Sequence, residues 1–401
     1  MGSIKFIKER KKRGRKPKKI NASLNEKLQN VQWGEYRIGD LFEKLKTKNL
    51  KVKVSDLSPN KTKDFNLPVL TAGIENQGLN NYAPKTGATI LKNVISISAN
   101  GANTGATFYQ NKEFTILQDA YAIDFKKDFL LTDNQYLFVV SSISKAIYGN
   151  FAWTDKACWT KVKDEKIQLP QKNGEIDFEF MESFVAELNA QRVAELNAYL
   201  TITGLKNYEL TEEEKNVLEN IDKIEYKEKK ITDVFKVKNA GNILAREVEL
   251  NSGDTPYLCA SAENNSVSSY INYNRLLKDE GNCIFIGGKT FVVSYQEKDF
   301  YSNDSHNLAL YLLDNEQRVK DIQLFLSSCV KKSLGHKYSW GDSISNKKIQ
   351  KDLILVPMKD GKIDYDIMKK IHRIIEKIVI KDVVLWADKK IEATKQVADI
   401  G

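Results

Sequence analysis

The chain has 401 residues, 41% of them apolar and 29% charged, and carries a formal net charge of +9. That balance excludes a disordered polymer, and the length allows two or three domains with their own cores. No apolar run approaches the roughly twenty residues of a membrane span, and no hydrophobic region or cleavage site follows the basic N-terminus. A cytoplasmic protein with no membrane association is therefore expected. The positive excess favours an anionic partner. Cys158, Cys259, Cys283 and Cys329 show no CxxC spacing, and there are only three histidines. This pattern reads as buried free thiols in a reducing compartment rather than as a zinc site.

Residues 1–30 read as a basic tail and linker. The run from Lys5 to Lys19 centres on Arg13-Gly14-Arg15-Lys16-Pro17. Its core resembles the minor-groove hook of some chromatin proteins, which makes Arg13, Arg15 and Lys16 candidate DNA contacts. A solvated basic arm that only steers non-specifically is the alternative. Asn21 to Asn30 reads as a short helix or linker.

From there the chain repeats itself. Arg37-Ile38-Gly39-Asp40-Leu41-Phe42 returns as Lys230-Ile231-Thr232-Asp233-Val234-Phe235, and Leu67-Pro68-Val69-Leu70 as Thr255-Pro256-Tyr257-Leu258. Gln118-Asp119 is matched by Asn303-Asp304, Pro170 by Pro357, and Gly174-Glu175-Ile176-Asp177-Phe178 by Gly361-Lys362-Ile363-Asp364-Tyr365. The offsets along this ordered series are 193, 188, 185 and 187 residues. One such pair can arise by chance; an ordered series at a nearly constant offset points to duplication.

Each copy opens with strand-like runs, among them Val94 to Ser98, Tyr121 to Phe125 and Cys283 to Ile286, separated by Gly and Asn. Each closes with a helical pattern. Phe180, Phe184, Leu188 and Leu196 share one face of the first helix. Met368, Ile371, Ile374, Ile375, Ile378, Val379, Val383 and Trp386 form the stripe of the second. Asp177 and Asp364 are the expected N-caps, and Thr211 caps a further short helix. An isolated helix would expose such a stripe, so the two helices are expected to bury theirs against each other. The boundaries follow as 31–173, 174–226, 227–360 and 361–401.

In this duplicated order the chain resembles the specificity subunits of type I restriction–modification systems and the related type IIB subunits. Trp33 with Arg37 to Phe42 looks like the opening of a target-recognition domain, and Leu169-Pro170 and Val356-Pro357, followed by Met181 and Met368, look like the junctions into spacer helices. The resemblance spans residues 33–397. It implies an α/β fold of two β-rich target-recognition domains joined by a paired long-helix spacer, with internal pseudo-symmetry. It also implies that the two domains bind the halves of a bipartite double-stranded DNA target. Methyltransferase subunits would dock on the helices, and some assemblies add a restriction or translocase subunit. The cofactor would be S-adenosylmethionine in the partner methyltransferase, with none in this chain. The helices look short beside those of the longest relatives, and the basic tail is not a family feature. A stand-alone duplicated DNA-binding or architectural protein is the competing reading.

No chemistry of its own is expected of this chain. The Asn/Asp-Pro-Pro-Tyr/Phe loop of an adenine methyltransferase is absent, as is a nuclease constellation of acids and lysine. Gly287-Gly288-Lys289-Thr290 ends like a phosphate-binding loop, but Cys283 occupies the first glycine position and strand-like residues follow. A tight hairpin is expected, from which Lys289 could reach a phosphate. Further DNA-contact candidates are Asn100 and Asn103, with Thr104, in a Gly-rich turn; Lys145, Tyr148 and Asn150 in the first copy; and Lys331, Lys332, His336 and Lys337 in the second. Each of these loops reads equally as an ordinary solvated turn. Trp153 and Trp340 read as completing the cores or, as the lesser alternative, as further contacts. His372 is expected to face solvent or the helix seam.

Overall fold

The computed structural model describes residues 22–50, 52–126 and 129–398. The chain divides after Glu195 into two units. Their strand orders are the same.

In the first unit Phe42–Lys44, Ala120–Phe125, Val94–Ser98 and Thr107–Gln110 form an antiparallel four-stranded sheet in that order. All five residues of Val94–Ser98 are buried, because both faces of the sheet are covered. Ile95, Ile97 and Ile123 pack toward the helix Asp133–Ile147, through Tyr136, Val139 and Ile143. Val94 and Ala122 pack toward Leu70, Phe114 and Ile116 of a small second sheet. Strand periodicity thus sends alternate residues into two different cores.

The second unit repeats these layers. Phe235–Asn239, Leu308–Leu312, Cys283–Gly287 and Val292–Gln296 form its four-stranded sheet. Ile284, Ile286, Leu308 and Leu310 face the helix Lys320–Leu334, whereas Cys283, Phe285, Ala309 and Tyr311 face Leu258 and Phe300. In both units the small sheet contains one parallel pairing, Val69 with Thr115 and Tyr257 with Tyr301. Both also carry a register shift in the same strand, at Val69/Leu70 and Tyr257/Leu258. Even the backbone irregularities recur. Asn76 and Gln77, and again Asn264 and Asn265, hold left-handed φ values. The Gln110 amide donates to the Gln77 carbonyl at 3.3 Å, and the Gln296 amide to the Asn265 carbonyl at 2.9 Å.

Each sheet domain is tied shut at its ends. Gln32–Arg37 pairs antiparallel with Lys166–Lys172, setting Trp33 opposite Pro170. Tyr226–Lys230 pairs with Leu353–Lys359, setting Tyr226 opposite Pro357. The Leu-Pro and Val-Pro junctions are therefore strand, followed by the short hairpin strands Glu175–Ile176 and Lys362–Ile363. A helix Ala22–Asn30 precedes the first unit's opening strand and buries Leu24 in its core.

The closing helices are Phe178–Ile202 and Tyr365–Ala398. The Asp177 carboxylate accepts from the Phe180 N–H at 2.8 Å and that of Asp364 from the Ile367 N–H at 2.9 Å, which satisfies donors the helix leaves open. Thr211 and Glu214 form a reciprocal capping box at Glu212–Glu219. The burial of the second stripe differs from expectation. Met368, Ile371 and Ile374 are buried, but the buried row then continues through Val384 and Ala387. There it meets Leu196 and Leu200, the last turns of the helix Phe178–Ile202 that belong to the second unit. Ile375, Ile378, Val379, Val383 and Trp386 form an exposed row instead. A helix this apolar has two faces to cover, and the fold covers one.

The cysteines also differ from expectation, and His372 takes the helix-facing alternative. Only Cys283 is fully buried, and burial pushes its thiol up to about 12; Cys158, Cys259 and Cys329 are half-buried. His372 is largely covered, with Nδ1 3.5 Å from the Asp321 carboxylate, so it faces the helix Lys320–Leu334 rather than solvent.

Candidate nucleic-acid interface

Three loops come together at one end of each sheet domain. The first is the turn between the two strands at the far side of the four-stranded sheet, residues 99–106 or 288–291. The second follows the C-terminus of the 15-residue helix, Asp133–Ile147 or Lys320–Leu334. The third is a two-residue turn just beyond it.

In the first unit Gly105, at φ +87°, lies so close to this helix end that an added Cβ would come 2.9 Å from the Ile147 carbonyl. Next to it the Thr104 hydroxyl, 2% exposed, accepts the Ala157 N–H at 2.9 Å. Thr104 is therefore a buried joint between loops rather than a base-reading group. Asn100 sits at the rim of the same turn, its amide donating to Asp119 at 2.9 Å. Asn103 is half-buried and its carbonyl accepts the Ala106 N–H at 3.0 Å. Lys145 and Tyr148 are exposed beside them, and Asn150 returns its side-chain amide to the Ala146 carbonyl to close the helix end. The five candidates Asn100, Asn103, Lys145, Tyr148 and Asn150 thus belong to one loop cluster.

The second unit builds the same cluster with more charge. Gly287-Gly288-Lys289-Thr290 is the hairpin turn expected of it, with Gly287 opposite Val292. A Cβ on Gly288 would stand 2.2 Å from the His306 carbonyl, so only glycine fits. Phe291, at the end of the turn, packs on Tyr338 with ring centroids 5.5 Å apart, joining the first loop to the second. Lys289 occupies the place of Asn100 and pairs with Asp304 at 3.0 Å, as Asn100 does with Asp119. Partial burial works against the charge on Asp304. The His306 backbone N–H and ring and the Lys289 ammonium outweigh it and hold the carboxyl down to about 2. Asp304 therefore stays ionised and offsets part of the Lys289 charge.

Lys331, Lys332 and His336 are exposed and form no ion pair among the described residues. Lys337, although exposed, is also tied to the core. Its ammonium pairs with Asp352, which is 2% exposed and also accepts the Tyr338 hydroxyl. Lys337→Ala should leave that carboxylate with a single neutral donor. A loss of about 1–3 kcal/mol is expected by urea unfolding, set against about 0.5 kcal/mol or less for Lys331→Ala or Lys332→Ala. Equal stability of the three variants would show that Lys337 is no anchor.

The third loop corrects the reading of both tryptophans. The Ala152 N–H donates to the Asp155 carbonyl at 3.0 Å and the Asp155 N–H returns to Ala152 at 2.9 Å, which puts Trp153 at the tip of the turn. Ser339 and Asp342 exchange the same two bonds around Trp340. Trp153 is 71% and Trp340 81% exposed, so neither completes a core. Phe151 and Tyr338, two residues earlier, pack inward instead. Arg13, Arg15 and Lys16 lie outside the described residues.

Among the described residues no group of three or more His, Cys, Asp or Glu side chains could hold a metal ion, and no helix is long and apolar enough to cross a membrane. The two sheet domains are like-built, each with a polar loop cluster at one end and a long helix following it in sequence, which defines a duplicated α/β protein. The model of the type I restriction modification DNA specificity domain matches residues 30–198 and again residues 223–384, and the chain belongs to this family of restriction–modification specificity subunits. It is 21% identical over 355 residues to the specificity subunit S.BcgI of the type II restriction enzyme BgcI from Heyndrickxia coagulans, covering 87% of this chain and 96% of that one. It also resembles the type I restriction–modification S subunit from M. genitalium in fold. That match has a TM-score of 0.52 at 16% identity, over 92% of this chain and 95% of the other. The expected DNA-binding, specificity-subunit class therefore stands.

Proposed function

We propose that this chain is the DNA-reading subunit of a modification complex, with residues 31–173 reading one half of a bipartite target and residues 227–360 the other. The observation that carries this reading is the recurrence of one loop cluster, with the same topology behind it, in both domains. Exposed Lys145, Lys331 and Lys332 would neutralise phosphates, and Asn100, Asn103, Asn150 and His336 would face base edges. Residues 174–226 and 361–401 act as the helical spacer. The exposed row from Ile375 to Trp386 is the docking face for a methyltransferase subunit, which binds S-adenosylmethionine and flips its target adenine out of the stack. A nuclease or translocase subunit can join the same complex. The assembly works on DNA in the cytoplasm.

Methylome sequencing with and without the gene tests this directly: a bipartite motif should lose its methylation when the gene is removed. The purified chain alone should transfer no methyl group from S-adenosylmethionine, and adding the methyltransferase subunit should restore site-specific transfer. Transfer by the isolated chain would overturn the assignment. Tight, site-selective DNA binding with no methyltransferase partner and no change in the methylome would favour a stand-alone DNA-binding protein. Within the complex, Lys331→Ala with Lys332→Ala should weaken binding on all sequences and lower the slope of log affinity against log salt by about 2.

A further inference from the structure

The two exposed tryptophans are the feature that the charge and polarity of the loops do not explain. Single exposed apolar side chains are ordinary on protein surfaces. Here, however, the same residue recurs 187 residues apart, at the tip of the same two-residue turn. Its neighbours have changed: Ala152 and Thr154 in one copy are Ser339 and Gly341 in the other.

The turn is also built to hold the ring still. Two backbone hydrogen bonds close it in each copy. An ion pair braces it from outside, Asp155 with Lys161 and Asp342 with Lys348, again 187 residues apart. An inward-packed aromatic, Phe151 or Tyr338, anchors its base. A rigid mount with an unused indole on top loses little freedom when a planar partner covers it.

The surroundings indicate the charge of that partner. Exposed Lys156 adjoins the first turn, and Lys145 lies just before it. Exposed Lys347 follows the second turn, and Lys331, Lys332 and His336 precede it. Asp155 and Asp342, the acids within the turns, are already neutralised by their lysines. A flat apolar ring on a turn flanked in sequence by exposed cations suits a polyanion that presents flat rings, which is nucleic acid.

We propose that Trp153 and Trp340 are base-stacking residues, one for each half-site, that wedge against base steps and contribute to target choice. The proposal rests on the DNA-reading function above. The indole face supplies contact area, and the exposed lysines that flank the turn in sequence hold the backbone in register.

Selection from a library of random-sequence duplexes tests this, using the chain in the complex it forms. The wild type should return a bipartite motif. Trp153→Ala should bind the best duplex about tenfold to a hundredfold more weakly and blur one half-site only, and Trp340→Ala should blur only the other. Trp153→Phe and Trp340→Phe should recover most of the loss, because a phenyl ring still stacks. Duplex binding should quench indole fluorescence in the wild type and much less in the double alanine variant, which keeps Trp33, Trp159 and Trp386. Circular dichroism should be unchanged, since neither ring is packed. The proposal is overturned if both alanine variants return the wild-type motif at wild-type affinity. It is equally overturned if they lose a protein subunit while DNA affinity holds. A wild-type complex that selects no bipartite sequence would instead remove the DNA-reading function itself, and this proposal with it.

Discussion

Inserting four helix-forming residues after Leu188 is expected to lengthen the unread gap of the DNA target by about two base pairs while leaving both half-site sequences intact. The site of insertion follows from the packing. Up to Leu188 the helix Phe178–Ile202 is held by the first domain's core, where Phe184 and Val185 are buried. From Leu196 on it packs with Ile380, Val384 and Ala387 in the second unit. Extra residues between these anchors would lengthen the helix that joins them. An α-helix rises 1.5 Å per residue and B-DNA 3.4 Å per base pair, so four residues add about 6 Å, with helical phase nearly preserved. Circular dichroism and size-exclusion chromatography would first establish an intact complex, and methylome sequencing would read the spacing. An active, intact complex that kept the original gap would show that these helices do not set the distance.

Ile375→Glu together with Val379→Glu should separate the chain from its methyltransferase subunit and abolish target methylation. Ile375 is 53% and Val379 69% exposed, so the free chain should lose at most about 0.5 kcal/mol of stability. At the centre of an interface each buried carboxylate costs about 2 kcal/mol or more, together on the order of a thousandfold in affinity. Co-purification and thermal unfolding make the comparison. Unchanged association would place the partner elsewhere, whereas unfolding of the free chain would show that the exposed row supports the fold itself. Together the two experiments divide the spacer into a face that sets length and a face that recruits.

The sequence makes the duplication legible because the repeated pieces are local. Short strands, junction prolines and capping aspartates announce themselves within a few residues, and Asp177 and Asp364 cap as expected. What composition could not resolve is which of two neighbouring rows on a helix is covered. Ile374 and Ile375 are adjacent in sequence and equally apolar, yet one is buried and the other exposed. Further along the same buried row, Val384 and Ala387 are covered by Leu200, far away in sequence. The tryptophans differ from the core reading for a similar reason. Indole is more often inside than out, and only the backbone pairing of Ala152 with Asp155 shows that Trp153 stands at a tip. Thr104 errs the other way, since a hydroxyl in a Gly-rich turn looks available until the Ala157 N–H is found on it. Asn100 and Lys289 were each legible as candidates. That they occupy equivalent places emerges from the pairing of each with an aspartate, Asp119 and Asp304.

The strands that tie each sheet domain shut have a consequence for how such a chain can change. Gln32–Arg37 enters and Lys166–Lys172 leaves side by side, as do Tyr226–Lys230 and Leu353–Lys359. Everything between them is joined covalently to the rest of the chain at two adjacent strands, and packs on the closing helix at Met181 or Met368. A segment with neighbouring ends behaves as a cassette: its interior can be exchanged for another of different length without moving the points where it is spliced in. A recombination crossover in each of the two paired strands would therefore deliver a new reading surface in one step. What the new interior must keep is the apolar face that receives Met181 and Phe184, or Met368, of the closing helix.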